Sequence, residues 1–186
     1  LERAEAPGEE LPSEEVVAVA HKGFVWAEIE TEGRAAHGSR PAEGVDAIAH
    51  MGPILIRLAD LQRELDASEG HPLVGPGSVH ASLIEGGQEM SSYPARCVLG
   101  LERRTVPGES DPAVKREILS YIRRRGLAAT MLDTKHEEPA PPLETDPRLP
   151  LVAQFLRSAG QKKPAGVDFF TDAGVLAAAG IPSVVF

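Results

Sequence analysis

Along residues 24–31 apolar and polar side chains alternate imperfectly, with Phe24, Trp26 and Ile29 set against Val25, Glu28 and Glu30, close to the period of two expected of a strand. From residue 45 to residue 67 the period lengthens. Val45, Ile48, Ala49, Ile54, Leu55, Leu58, Leu61 and Leu65 recur at helical spacing, and Pro53 inside the run predicts a kink or a restart. Gly70, Pro72, Gly75 and Pro76 then mark a loop. Residues 78–85 alternate again, with Val79, Ala81 and Leu83 forming one dry face and His80 on the polar side beside Ser78 and Ser82; Gly86 and Gly87 end the run. Residues 95–105 predict a further strand, and Pro107-Gly108-Glu109 a turn. Ser110 or Asp111 is placed to cap a helix with Pro112 in its first turn, lined by Val114, Ile118, Leu119 and Ile122 and stopped by Gly126. Residues 127–135 predict a fourth strand.

Strand, helix, strand, strand, helix, strand is the order of an α+β, ferredoxin-like unit: a four-stranded antiparallel sheet with two helices on one face. The second and fourth strands would form its edges. An open edge at residues 78–84 can pair with its copy in another chain, which predicts a homodimer, although an edge blunted against such pairing is the alternative. Residues 15–20 predict a short strand ahead of a break at His21-Lys22-Gly23. Residues 137–147 have the composition of a linker, with Pro139, Pro141, Pro142 and Pro147. Residues 148–158 predict a helix, residues 169–172 a loop, the following Ala-rich stretch to Gly180 a short helix, and residues 182–186 a strand. This tail is too short for its own core, so it is expected to pack on absent chain or on the strand at 15–20. The acidic opening and the apolar finish together read as a piece of a longer protein.

Composition narrows the function classes. In 186 residues, 42% hydrophobic and 25% charged content describes an ordinary globular chain. The balance of 19 basic against 28 acidic residues, net charge -9, argues against nucleic-acid binding, which rests on clustered cations. Arg123-Arg124-Arg125 reads as the solvated end of a helix. Cys97 is the single cysteine, which excludes an internal disulfide and a thiolate zinc site; in its apolar run it reads as a buried thiol. No run is long and apolar enough for a membrane span, and the acidic N-terminus is unlike a signal peptide, so the expected location is cytoplasmic.

The candidate chemistry is sparse. His37 lies in a glycine-bracketed turn, Gly33-Arg34-Ala35-Ala36-His37-Gly38, between a strand and a helix, where a side chain can be shown to a ligand or simply be solvated. Arg104, near the end of a strand, has the planar fork to clamp a carboxylate, or it forms a surface ion pair with Glu102 or Glu109. The histidines at 21, 37, 50, 71, 80 and 136 show no metal-ligand spacing with a carboxylate, and no HExxH pair, phosphate loop or nucleophile elbow is present.

Taken together, Lys22-Gly23, Gly33 to His37, Arg40-Pro41 and Gly44, then Tyr93-Pro94, Cys97 and Glu102-Arg103-Arg104-Thr105-Val106-Pro107-Gly108-Glu109, then Phe170-Thr171-Asp172 and Gly180-Ile181-Pro182, resemble the dinuclear zinc deacylase and exopeptidase family. That family includes acetylornithine deacetylase, succinyl-diaminopimelate desuccinylase, aminoacylase and glutamate carboxypeptidase. The resemblance implies three segments: residues 1–22 closing a first piece of a zinc-hydrolase catalytic domain, 23–137 forming a dimerising lid, and 138–186 opening the returning catalytic piece. It implies a full-length hydrolase of an N-acyl or peptide amide next to a carboxylate, acting on a small acylated amino acid or peptide. His37 would stabilise the oxyanion in the partner subunit's site, Arg104 would bind the substrate carboxylate, and Thr171 would line the pocket. It also implies two zinc ions whose ligands are absent from this chain. Ser91 stands where the family often has an asparagine. The alternative from a different class is a stand-alone ferredoxin-like dimerisation or binding module.

Overall fold

The computed structural model describes residues 16–123, 128–132 and 140–186. The acidic opening, the helix stop at Gly126, Arg124 and Arg125, His136, the first proline of the expected linker and the ends of the expected fourth strand fall outside them.

Two sheets organise the chain. The larger contains β2 (Gly23–Glu32), β3 (Ser78–Gly86), β4 (Arg96–Thr105) and β5 (Thr130–Leu132) in the order β3-β4-β2-β5, every pairing antiparallel. This is the ferredoxin-like order, with the second and fourth strands of the unit at its edges. α1 (Ala47–Asp66) and α2 (Asp111–Arg123) cover one face. The core lies between them: Val25, Ala27 and Ile29 of β2, Cys97, Leu99 and Leu101 of β4, Met51, Ile54, Leu58 and Leu61 of α1, and Val114, Ile118 and Ile122 of α2. Each fully buried aliphatic side chain here contributes about 1.5–3 kcal/mol from apolar burial.

Three local expectations are corrected. In β2 the residues turned to the helices are Val25, Ala27, Ile29 and Thr31, so Phe24 and Trp26 lie on the opposite face. The aromatic pair stays there because it has partners on that side, described below. In α1 the helix runs unbroken through Pro53, which is exposed on its outer side, and the buried stripe is Ala47, Met51, Ile54, Leu58 and Leu61 rather than one including Ile48. Asp46 caps this helix, accepting the Ala49 N–H at 2.9 Å. In β3 the single dry face does not form. A register shift between Ala81 and Leu83 leaves Val79 as the buried residue of the strand and Leu83 76% exposed.

The smaller sheet has the order β6-β1-β7, from β1 (Ala18–His21), β6 (Leu143–Glu144) and β7 (Ala165–Val167). β1 is fully buried and pairs antiparallel with β6 and parallel with β7, so the tail does pack on the N-terminal strand. The expected break narrows to Lys22 alone, because His21 belongs to β1. The stretch expected to be a linker supplies β6. α3 (Pro150–Ser158) and α4 (Ala173–Ala178) form as expected, but residues 182–186 make a single bridge, Ala18 to Val185, instead of a strand. Among the described residues no helix is long and apolar enough to cross a membrane.

Candidate functional site

The site residues read from the sequence fall into two places. His37 stands alone beyond the far end of β2, on a loop whose backbone is strapped down. Gly33 N–H donates to Ala95 O at 2.8 Å, Tyr93 N–H to Ala36 O at 2.8 Å, and Gly38 N–H to Ser91 O at 2.6 Å, while Arg34 and Val45 exchange bonds at 2.8 and 3.0 Å. The glycine at the root is a packing requirement. A Cβ on Gly33 would overlap Val45 O and lie 2.5 Å from Pro94 O and 2.8 Å from Ala47 N. A hollow of about 340 Å³ beside the loop is lined in part by Ala35, Ser92, Tyr93 and Arg96.

The imidazole itself is exposed, and one of its nitrogens is spoken for. Ser39 N–H, which can only donate, points to His37 Nδ1 at 3.2 Å, and Ser39 Oγ lies 2.8 Å from the same atom. Nδ1 is therefore the acceptor, and a neutral ring carries its proton on Nε2. Nε2 has no hydrogen-bond partner among the described residues. The loop thus presents an N–H donor to whatever approaches it.

Arg104 lies at the opposite end of the same sheet. Its β-partner is Phe24, whereas His37 bridges Ser92. The eight steps of β4 from Arg96 to Arg104 alone span about 26 Å at roughly 3.3 Å per residue. No small substrate reaches both side chains of one chain. Thr171 is brought to the Arg104 end through a run of rings. The Arg104 guanidinium sits over the Phe24 ring, 5.5 Å from its centroid, Phe24 contacts Phe170 edge-on at 5.3 Å, and Phe170 contacts His21 edge-on at 5.5 Å. His21 in turn lies 3.1 Å from the Thr171 carbonyl through Nε2 and 2.9 Å from the Lys22 carbonyl through Nδ1.

Two participants here escaped the sequence reading, and the part of a third was read too narrowly. His21 was treated as part of a break, yet it is fully buried and ties β1 to the Thr171 loop; Gly174 packs against its ring, where a Cβ would lie 2.8 Å from Cε1. Trp26 was read only as a strand residue, and Glu102 only as one of two alternative surface ion-pair partners of Arg104; both belong to this cluster. Glu102 accepts from Arg104 Nε at 2.7 Å and from Trp26 Nε1 at 2.9 Å. Residues 21, 24 and 26 are separated in sequence from 102 and 104 by one helix and one strand, so only register brings them together. Neighbouring Arg103 turns the other way. It is buried on the helix side between Glu109 at 2.6 Å and Glu117 at 3.7 Å, and it holds the turn after β4 through Glu109, which also accepts the Val106 N–H at 2.8 Å.

Burial holds the His21 imidazole below its ordinary value of 6.5, against the raising effect of the two carbonyls. The neutral ring is the form the fold prefers. The unfolded chain takes up a proton near pH 6.5 and the folded one only at lower pH, so this contribution to stability is present above 6.5 and is lost as pH falls through the folded value. Thermal unfolding between pH 7.5 and 5 is expected to show a falling midpoint that flattens in His21→Gln. An equal fall in both proteins would remove His21 as its source.

Among the described residues no three of His, Cys, Asp or Glu come together as a metal site, so these side chains by themselves do not hold a metal ion. A separate cavity of about 630 Å³, lined in part by His71, Glu144, Asp146 and Arg148, contains none of the site residues above. There Arg148 hydrogen-bonds the Asp146 carboxyl and holds it down at about 2.

With this geometry in view, the comparisons with known proteins are specific. Residues 19–130 match the M20 family model for a peptidase dimerisation domain. Acetylornithine deacetylase from Myxococcus xanthus is 28% identical over 190 residues, covering 94% of this chain and 47% of that enzyme. Among solved structures, the M20 family metallo-carboxypeptidase Sso-CP2 from Sulfolobus solfataricus superposes with a TM-score of 0.67 at 15% identity, covering 97% of this chain and 61% of that one. Aminopeptidase PepT from Bacillus cereus gives 0.62 at 17% identity, covering 91% and 44%. The chain spans about half the length of the curated relatives it matches.

Proposed function

This chain belongs to the M20 peptidase dimerisation-domain family, and from that we propose that it is the lid and dimerisation part of a longer metal-dependent hydrolase that cleaves an N-acyl or peptide amide beside a carboxylate. In this reading residues 23–137 are the lid, and residues 1–22 and 138–186 belong to the catalytic domain. Zinc is the metal expected, held by residues elsewhere in the full-length protein, where it would supply Lewis-acid chemistry. The edge strand β3, with Leu83 and Ile84 exposed, is the surface offered to a second copy.

The observation that carries the reading is the separation of His37 from Arg104. Both side chains suit one substrate, an amide whose oxygen becomes an oxyanion and whose neighbour is a carboxylate. They lie too far apart on one chain, so a dimer is what lets them meet. His37 Nε2–H of one protomer donates to the oxyanion in its partner's site, and the partner's own Arg104 and Thr171 hold the substrate there. A donor aimed at developing charge in a dry site accelerates the reaction by about 10²–10³.

The first test is hydrolysis by the full-length protein. It is expected to release acetate from N-acetyl-L-ornithine or a related N-acyl amino acid, to lose activity to a chelator, and to regain it with zinc. A full-length protein that binds no metal and hydrolyses none of these would leave the stand-alone module as the better reading.

A further inference from the structure

The ion pair between Arg104 and Glu102 looks at first like an argument against a binding role, because it occupies the arginine. Its geometry says otherwise. Glu102 takes the guanidinium by Nε, at 2.7 Å, and neither terminal nitrogen of Arg104 has a partner among the described residues. The guanidinium is flanked on one face by Phe24, with its centroid 5.5 Å away. An arginine held by its Nε edge and stacked on a ring keeps its outer pair of N–H groups parallel and free, which is the fork that grips a carboxylate in two bonds.

The same carboxylate holds Trp26. Its Oε2 accepts the indole N–H at 2.9 Å while Oε1 accepts from Arg104, and Glu102 is itself only 13% exposed along its side chain. Trp26 remains 48% exposed, lies 4.9 Å from Phe24 between ring centroids, and stands on the open face of the sheet directly opposite Glu102 in register. An exposed tryptophan anchored by its N–H has its ring plane fixed and a broad apolar surface uncovered.

We propose that Glu102 is the positioning residue of a two-part subsite, fixing Arg104 as a carboxylate fork and Trp26 as the apolar wall beside it. The ligand class follows from the pair: a carboxylate carrying a hydrocarbon stem, such as the side chain of an N-acyl amino acid. This rests on the reading of Arg104 as the carboxylate-binding residue. Glu102 touches neither the substrate nor the reacting amide; it acts through the two side chains it holds. Without it, Arg104 keeps its charge but loses its orientation, so discrimination between a carboxylate and a neutral group falls more than general activity does.

The test uses the full-length enzyme with N-acetyl-L-ornithine and its carboxamide, and reads the ratio of kcat/KM for acid over amide. Glu102→Ala is expected to lower that ratio about tenfold, the effect of losing one charge-assisted contact's alignment. Glu102→Gln, which keeps the shape and an acceptor for one of the two donors, is expected to fall between wild type and Ala and guards against a folding defect. A purely structural role would lower both substrates equally and leave the ratio at its wild-type value, which overturns the proposal. Arg104→Ala separates the two levels. Loss of the ratio in Arg104→Ala with a wild-type ratio in both Glu102 variants sinks the positioning role alone, whereas an unchanged ratio in Arg104→Ala sinks the carboxylate reading beneath it. Trp26→Ala is expected to raise KM for acid and amide together by several fold, since the stem loses its wall in both; unchanged KM values would take Trp26 out of the subsite.

Discussion

Dimers of the full-length protein assembled from His37→Ala and Arg104→Ala chains are expected to recover about a quarter of wild-type activity, although each variant alone is nearly inactive. The number follows from the geometry. His37 and Arg104 lie at opposite ends of one sheet, so in the proposed dimer a complete site takes Arg104 from one protomer and His37 from the other. When the two variants are mixed in equal amounts, about half the dimers are mixed, and each mixed dimer has one site with both residues intact. Alone, His37→Ala is expected to lose about 10²–10³ in kcat, and Arg104→Ala to lose mainly kcat/KM for carboxylate substrates. The measurement is the activity of the unselected pool of dimers from the two variants co-expressed in equal amounts; mixed dimers isolated through a different tag on each chain are expected to reach about half of wild-type activity. Recovery no greater than the sum of the two parents would mean that His37 serves its own subunit, or that the chains do not share sites.

The second large effect is at Gly33. Its missing Cβ is what lets Val45, Pro94 and Ala47 close around the root of the His37 loop, and every atom it would strike belongs to backbone. Backbone cannot swing aside as a side chain can, so Gly33→Ala is expected to cost about 2–4 kcal/mol in urea unfolding and to depress kcat through the displaced loop. Gly38→Ala is the control. A Cβ there would lie 3.0 Å from Ser91 O, a contact that a small shift relieves, and the expected cost is under about 1 kcal/mol. Equal stability of the two variants would show that the loop root adapts.

Much of the architecture was legible in advance because period and punctuation carry it. Strand and helix alternation between residues 24 and 132 predicted the ferredoxin-like sheet, its edges and the helices on one face. That the tail would need absent chain or the strand at 15–20 to pack on followed from its having too few residues for its own core, and β1 is what it packs on. What misled was local. Phe24 and Trp26 are apolar, so their character grouped them with Ile29 although a period of two sets Ile29 with Val25, and nothing in a strand's own sequence says that a second apolar surface waits on the other side. The bulge after Ala81 shifts the phase of β3 by one residue, and an edge strand, paired on one side only, tolerates that shift. Pro53 lies on the outer side of α1, where the helix accommodates it without a break.

Residue types and order within the chain were enough to determine the fold class, the family resemblance, and the choice of His37, Arg104 and Thr171 as candidates, because each depends on motifs contiguous over a few positions. The tertiary structure alone decided how those candidates are arranged. Strand register placed Arg104 with Glu102, Trp26 and Phe24, ring packing carried that cluster to Thr171, and the length of β4 put His37 out of reach at the other end. Pairing across strands couples residues far apart in sequence, and separation along a strand is a matter of rise per residue; neither can be read until the strands are laid side by side.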